Sequence, residues 1–274
     1  MRPGNKIVFL ADVFADEIPG GGELNNKEVI DLLACAGYDV IRRKCSKVTS
    51  KFILEHSDHP FVVANFIDLP ANCIEVLKTL RYVIYEHDHK YLSHRNPALY
   101  PNLTAGPRDL RYYYFYKNAR AILCQSRLHE KILRDNLGLS NVINLGGNVW
   151  SLSTLEKLRE ISKKNKREKY SVMDSPIGHK NTQGAINFCN NKDLEYELIS
   201  DPTHDDFLKK MGKNKGFVFF PKTPETLSRV VVEARMAGAS VVTNELVGAY
   251  SEDWIKMKGG RLVDLMISKR DEIV

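Results

Sequence analysis

Cysteine is scarce in this chain and builds no framework. The five present, Cys35, Cys45, Cys73, Cys124 and Cys189, are odd in number, widely spaced and contain no C-x-x-C pair. That excludes a disulfide scaffold and a zinc knuckle and leaves ordinary reduced thiols. Long apolar runs are missing too: "KIVFLADVF" and "GFVFFP" have strand length and fall far short of the roughly 20 residues that cross a bilayer. No membrane span is expected. The opening residues "MRPGNKIVFLADVFADE" carry acids inside their apolar stretch and no small-residue cleavage site, so no secretion leader is expected either. A cytoplasmic location follows as the expectation, and the glycosylation pattern at Asn102 reads as chance. G-x-x-x-x-G-K-[ST], H-E-x-x-H and G-x-S-x-G do not occur, which removes the P-loop, zinc-protease and hydrolase-elbow chemistries.

What is present is a core-forming composition: 274 residues, 43% of them apolar, enough for one large domain or two small ones. Lys and Arg total 40 against 34 acids, and the net charge of +6 favours anionic partners weakly. The first half alternates strand-length runs ("KIVFLADV", "PFVVANFI", "RYVIYEHDH") with helical periods ("NNKEVIDLLACAG", "ANCIEVLKTL", "LHEKILRDNLGL"). This is the pattern of a parallel sheet wrapped by helices. In the first helix Val29, Leu32, Leu33 and Ala36 share a face, and Gly37 stops it before the strand at "YDVI". Near 150–170 the character changes to the charged "SLSTLEKLREISKKNKREKY", whose basic run interleaves no aromatic residue and reads as a solvated helix end plus linker. The alternation then resumes. The expected fold is α/β, with Rossmann-like domains at 1–150 and 171–274, a charged linker at 151–170, and a ligand cleft between the domains at the carboxyl ends of both sheets.

The segment "KTPETLSRVVVEARMAGASVVTNE", 222–245, carries the chemistry. "GFVFFP" is a buried strand, Pro221, Thr223 and Pro224 break it, and Ser228 is placed as the N-cap of a helix from Arg229 to about Ala237, ended by Gly238. The amides of Leu227, Ser228 and Arg229 would then lie at a positive helix terminus suited to phosphate. Glu225 precedes that terminus and Glu233 lies about one turn inside. Each carboxylate is acceptor-only and takes two hydroxyl donors, one set from a ribose and one from a sugar ring.

That segment, Glu, seven residues, Glu, Ala, a small-residue helix end, Gly and a Val-rich strand, resembles the motif of the retaining, nucleotide-sugar-dependent glycosyltransferases of GT-B architecture. The resemblance implies a compact two-domain transferase, a UDP- or GDP-sugar donor and no metal or other cofactor. By the same resemblance, Glu225 approaches the donor sugar, Glu233 holds the ribose, and Thr226, Leu227 and Ser228 offer backbone donors, with Arg229 beside them. "IPGGGELNNKEVIDLLACAGYDV" is similar to the family's glycine-rich loop and helix, where Gly21 or Gly22 lets backbone approach diphosphate and acceptor. It fails the dinucleotide G-x-G-x-x-G pattern, because Asn25 holds the third glycine's place. "RYVIYEHDHKYL" puts His87 where the family has a histidine contacting the donor sugar, and "SPIGHKNTQGAINF" puts Lys180 where it has a phosphate-binding lysine. The family's arginine five residues earlier is Ser175 here, so charge balance falls to Lys180, His179, Arg229 and the helix terminus. "GGRLVDLMISKRDEIV" resembles a shortened form of the family's C-terminal helix.

The histidines and acids of "HSDH" (His56, Asp58, His59), "HDH" (His87, Asp88, His89) and His94 lack helical i, i+4 spacing and a cysteine, so no metal site is expected. "DLRYYYFYKNARAILCQS" sets five aromatics beside Arg108, Arg111, Lys117 and Arg120 and reads as a buried helix with Tyr tips at the cleft, with a base-stacking surface as the other reading. Two acceptors stay open, a glycan and a hydroxylated DNA base. A non-catalytic nucleotide- or sugar-binding module is the alternative to an enzyme.

Overall fold

The computed structural model describes residues 5–18 and 20–273, which form two compact units. Residues 1–4, where the sequence was read for a leader, Pro19 of the glycine-rich segment and Val274 lie outside the described residues.

The first unit takes residues up to Gln125 with His129–Val149. In chain order it holds β1 (Lys6–Ala11), α1 (Gly21–Cys35), β2 (Asp39–Lys44), α2 (Ser50–Glu55), β3 (Phe61–Val63), α3 (Ala71–Leu77), β4 (Tyr82–Tyr85), α4 (Tyr113–Asn118), β5 (Ile122–Cys124), most of α5 (Arg127–Leu137) and β6 (Val142–Asn144). The strands form one parallel sheet in the order β2-β1-β3-β4-β5-β6. β1 is buried from Ile7 to Ala11, because a strand covered on both faces must be apolar at every position. Aromatics fill the core beside it: Tyr82 stacks on Phe115 at 4.8 Å and Phe66 meets Phe115 edge-on at 5.1 Å. At the end of β4 the buried Glu86 carboxylate is held by the Lys90 ammonium and the Tyr116 hydroxyl. Burial pushes that carboxyl up, and Lys90 only partly offsets the effect.

α1 ends as expected, with Gly37 at φ +90°. Its buried face differs from the expected one: Asn25, Asn26, Val29 and Ile30 face inward, Leu32 and Leu33 are half-buried, and Ala36 is exposed. Tertiary hydrogen bonds set this rotation, since Asn25 Oδ1 accepts from the Val149 amide at 2.8 Å and Asn26 Oδ1 engages His87 at 2.6 Å. In α4, Phe115 and Tyr116 are buried while Tyr114 is exposed.

The second unit takes Ser126–Leu128 and Trp150–Ile273. It holds α6 (Leu152–Ser162), β7 (Arg167–Met173), α7 (Thr182–Asn191), β8 (Tyr196–Ile199), α8 (His204–Met211), β9 (Asn214–Phe219), α9 (Arg229–Met236), β10 (Ser240–Thr243) and α10 (Gly260–Ile273). Its parallel sheet runs β10-β9-β7-β8. The stretch 151–170, read as a charged linker, is folded into this unit. Ser151 caps α6 by accepting from the Thr154 amide at 3.1 Å, and Leu155, Leu158 and Ile161 enter the core. Within the basic run, Lys166 Nζ donates to the carbonyls of Ile161 (2.9 Å), Gly212 (2.6 Å) and Ala237 (2.7 Å), so its charge serves helix ends rather than solvent. α10 packs on α6 and α9. No helix among the described residues is long and apolar enough to cross a membrane.

Candidate functional site

The turn from β9 into α9 is clamped from a second segment. The Glu225 amide donates to Leu246 O at 2.8 Å, the Gly248 amide to Glu225 O at 2.9 Å, and the Ala249 amide to Leu227 O at 2.9 Å. The Ser126 hydroxyl adds a bond to Thr226 O at 2.6 Å. This leaves Gly248 no room for a side chain: a Cβ there would lie 2.3 Å from Thr226 O and 2.8 Å from Glu225 O. Ser228 stands at the N-cap position with φ +72°, and, contrary to expectation, its hydroxyl makes no capping bond. It is 6% exposed, and its Oγ has no partner among the described residues. The amides of Leu227 and Ser228 donate to no backbone carbonyl among those residues. Leu227 itself is fully buried, so only its backbone is available.

Lys180 closes a short 3-10 turn, Gly178–Lys180, ahead of α7. Asn181 follows at φ +57° and ties that turn to the β9 end through Nδ2 to Phe220 O at 2.8 Å, while the Lys222 amide donates to His179 O at 2.8 Å. The result brings Lys180 Nζ to 2.7 Å from Glu225 Oε1, both side chains largely covered. Ser175 serves the same loop: its amide donates to Thr182 Oγ1 at 3.1 Å and its hydroxyl accepts from the Ile177 amide at 3.3 Å.

Glu233 is buried and fully engaged. Oε1 accepts from Trp150 Nε1 at 2.9 Å and lies 3.7 Å from Arg229 Nε, and Oε2 pairs with His204 Nε2 at 3.2 Å. The Arg229 guanidinium stacks 4.4 Å above the Trp150 ring, so its charge is spent on Glu233 and the indole. Burial pushes the Glu233 carboxyl up, but the hydrogen bond and charge of His204, with Arg229 and Trp150, bring it below the usual carboxylate range. The bond to Glu233 raises His204 against the opposing effect of burial. Among the described residues Glu233 and Glu225 share no hydrogen-bond partner. Sequence reading missed Trp150 and His204, which reach Glu233 across 83 and 29 positions with no local pattern to reveal them.

In the first unit Gly21 and Gly22 lie in the first turn of α1, with Gly20 at the N-cap, rather than in an open loop. A Cβ on Gly22 would meet His87 Cγ at 3.5 Å, an ordinary contact. His87 Nε2 lies 2.6 Å from Asn26 Oδ1 and its Nδ1 faces Gln125 Nε2, which assigns the proton to Nε2 and the lone pair to Nδ1. Asn26 and Gln125 were not foreseen. His56 bonds locally to Phe52 O at 2.8 Å, and no group of three or more His, Cys, Asp or Glu among the described residues could hold a metal ion.

Two α/β units, each on its own parallel sheet, define a GT-B-like fold. Solved glycosyltransferases share it. A glycosyltransferase from Rickettsia africae ESF-5 superposes with a TM-score of 0.58 at 12% identity, covering 99% of this chain and 89% of that one. Anabaena Alr3699/HepE in complex with UDP-glucose gives 0.51 at 15% identity over 98% and 89%. An alpha-glucosyltransferase in complex with UDP and a 13-mer DNA containing an HMU base gives 0.51 at 12% identity over 98% and 90%. Identities this low establish the fold alone. No protein-family model and no curated protein matches the chain.

Proposed function

We propose that the chain is a retaining glycosyltransferase that takes a sugar from a nucleoside diphosphate donor, a UDP- or GDP-sugar, and passes it to a hydroxyl acceptor. The observation that carries this reading is the Lys180–Glu225 pair close to donors that have no acceptor among the described residues, the amides of Leu227 and Ser228 and the Ser228 hydroxyl. A buried donor without an acceptor costs about 1–3 kcal/mol, and a serine held at positive φ adds a cost of similar order. Phosphate oxygens at the start of α9 would satisfy those donors and meet the positive end of the helix. Likeness in fold to enzymes solved with UDP and UDP-glucose supports the donor class.

In this reading the diphosphate draws Lys180 from Glu225, and Glu225 turns to the hydroxyls of the donor sugar. Glu233 accepts from the ribose, whose hydroxyl takes the place of His204. Thr226 supplies backbone to the sugar. Arg229 orients Glu233 rather than holding phosphate, which leaves Lys180 and the helix terminus to balance the charge. As the bond from the anomeric carbon to the phosphate oxygen breaks, negative charge grows on the leaving diphosphate, where Lys180 and the amides stabilise it. The acceptor oxygen bonds to the anomeric carbon from the same face, and its proton passes to the departing phosphate oxygen without a covalent enzyme intermediate. The acceptor would enter past Gly21, Gly22 and His87 of the first unit. A glycan is the default acceptor. The net charge of +6 and the fold neighbour solved with DNA favour a hydroxylated DNA base as the second candidate.

A non-catalytic nucleotide-binding module is the competing reading, favoured by Ser175 acting as a turn-former where an arginine would hold phosphate. Incubation with a panel of UDP-, GDP- and ADP-sugars separates the two. Release of nucleoside diphosphate by wild type but not by Lys180→Ala supports transfer. Thermal stabilisation by a donor without release from any donor leaves the module.

A further inference from the structure

At the carboxyl end of the first unit's sheet, the end of β2 and the turn after it gather Arg42, Arg43, Lys44 and Lys47 around Phe14, lining a groove of about 370 Å³. We infer that this groove binds the phosphodiester backbone of a nucleic acid. The inference deepens the proposed transfer reaction, and rests on it, by assigning a polyanionic acceptor.

Charge and packing both point there. Arg42 pairs with Asp16 at 2.6 Å and Lys44 with Glu17 at 2.7 Å, all four side chains at least one-third exposed. Such pairs hold weakly in water and exchange readily for phosphate oxygens. Arg43 and Lys47 are exposed and have no carboxylate partner among the described residues, and Arg43 Nε donates to the Lys47 main-chain carbonyl at 3.1 Å, which holds the Arg43 side chain against the turn that carries Lys47. The groove therefore keeps a local excess of two positive charges. Its one aromatic residue, Phe14, is 6% exposed beneath the Arg42 guanidinium at 4.4 Å. It offers no face on which a sugar or base could stack and no apolar wedge for a lipid layer, so the groove reads backbone charge and not rings.

Position ties the groove to the acceptor side. The strands are parallel, so Phe14 after β1, Lys47 after β2 and His87 after β4 lie at the same end of the sheet. β2 and β4 are three strand spacings apart in the order β2-β1-β3-β4, about 14 Å at the usual ~4.8 Å per strand. A nucleic acid anchored on the groove would present bases a few nucleotides along at His87.

The test uses the full chain and a short fluorescein-labelled DNA duplex, with binding read by anisotropy across a salt series. Wild type is expected to bind with steep salt dependence. Arg43→Glu/Lys47→Glu should weaken binding at least about tenfold and flatten the log–log salt slope by roughly 2, near 0.9 for each phosphate no longer neutralised. Arg43→Gln/Lys47→Gln, which removes charge without reversing it, should show the same flattening with an unchanged melting temperature. Donor hydrolysis by both variants should match wild type, since neither residue touches the donor site. Equal affinity and slope in wild type and both variants would overturn the inference, as would retention of a sulfated oligosaccharide or phosphatidylserine vesicles with no binding of the duplex. Intact DNA binding with no nucleoside diphosphate release from any donor would instead remove the transferase reading.

Discussion

Replacing Gly248 by alanine tests whether the shape of the turn before α9 matters to the chemistry. The added Cβ would meet Thr226 O at 2.3 Å, Ser126 Oγ at 2.4 Å and Glu225 O at 2.8 Å. The serine hydroxyl can rotate away. The two carbonyls cannot, because they belong to the backbone that carries Glu225 and the start of α9. Carbon–oxygen contacts settle near 3.3 Å, so the turn must recoil by about 1 Å. Overpacking of this kind costs about 1–3 kcal/mol, a fall of several degrees in melting temperature for a unit of this size. A displacement of about 1 Å beside reacting groups can cost on the order of 100-fold in rate. The assay is nucleoside diphosphate release at saturating donor, with melting temperature followed in parallel. Gly106→Ala is the control, since a Cβ there meets nothing within 4 Å. A Gly248→Ala protein that stays folded and turns over at the wild-type rate would refute the idea that this turn positions the donor.

Lys180→Ala and Glu225→Ala should each lower turnover by orders of magnitude with little loss of melting temperature, as the two side chains, though largely covered, pair with each other and belong to no apolar core cluster; wild-type rates in both would remove the site assignment. The His204–Glu233 pair should stabilise the protein most in mildly acidic buffer. His204 is raised in the folded state, so its contribution is complete while the unfolded chain also holds the proton and fades as pH rises through the raised value. Glu233 is lowered, so its share is lost only in stronger acid. The melting-temperature gap between wild type and His204→Gln should therefore shrink toward alkaline pH, and a gap that stays constant would contradict the pairing. Trp150→Phe, which removes one donor to Glu233 while keeping a ring under Arg229, should weaken donor binding more than it slows turnover, seen as a rise in KM at near-constant kcat. Activity should survive exhaustive treatment with EDTA, because Lys180 and the α9 terminus are proposed to balance the diphosphate, and loss restored only by a divalent cation would refute that charge balance.

The strands could be read from the sequence because their signal is local: "IVFLA" of β1 and "GFVF" of β9 are continuous runs without a polar side chain, as strands covered on both faces require. Helix stops at Gly37 and Gly238 were equally legible, since both take φ +90° and only glycine does so without strain. The loop containing Lys180 and the turn containing Glu225 were each visible, but not the 2.7 Å approach between them, which depends on Asn181 folding one loop against the end of β9. Propensity misled at Ser228, which follows the turn clamped by residues 246–249, stands at φ +72° and makes no capping bond through its hydroxyl. Hydrophobic periodicity likewise misplaced the buried face of α1, because Asn25 and Asn26 are drawn inward by hydrogen bonds that an apolar pattern does not encode. The charged stretch at 151–170 hid a packed helix, since Leu155, Leu158 and Ile161 need only three positions to enter the core.

The single ammonium of Lys166 is shared by the final carbonyls of three segments, at Ile161, Gly212 and Ala237. One rivet therefore fastens the ends of α6, α8 and α9, and none of those ends can fray without loosening the other two. Acetylating that lysine would erase the charge and two of its three protons at once, so an alteration of one side-chain nitrogen would reach the helix that opens at Ser228 from its far end.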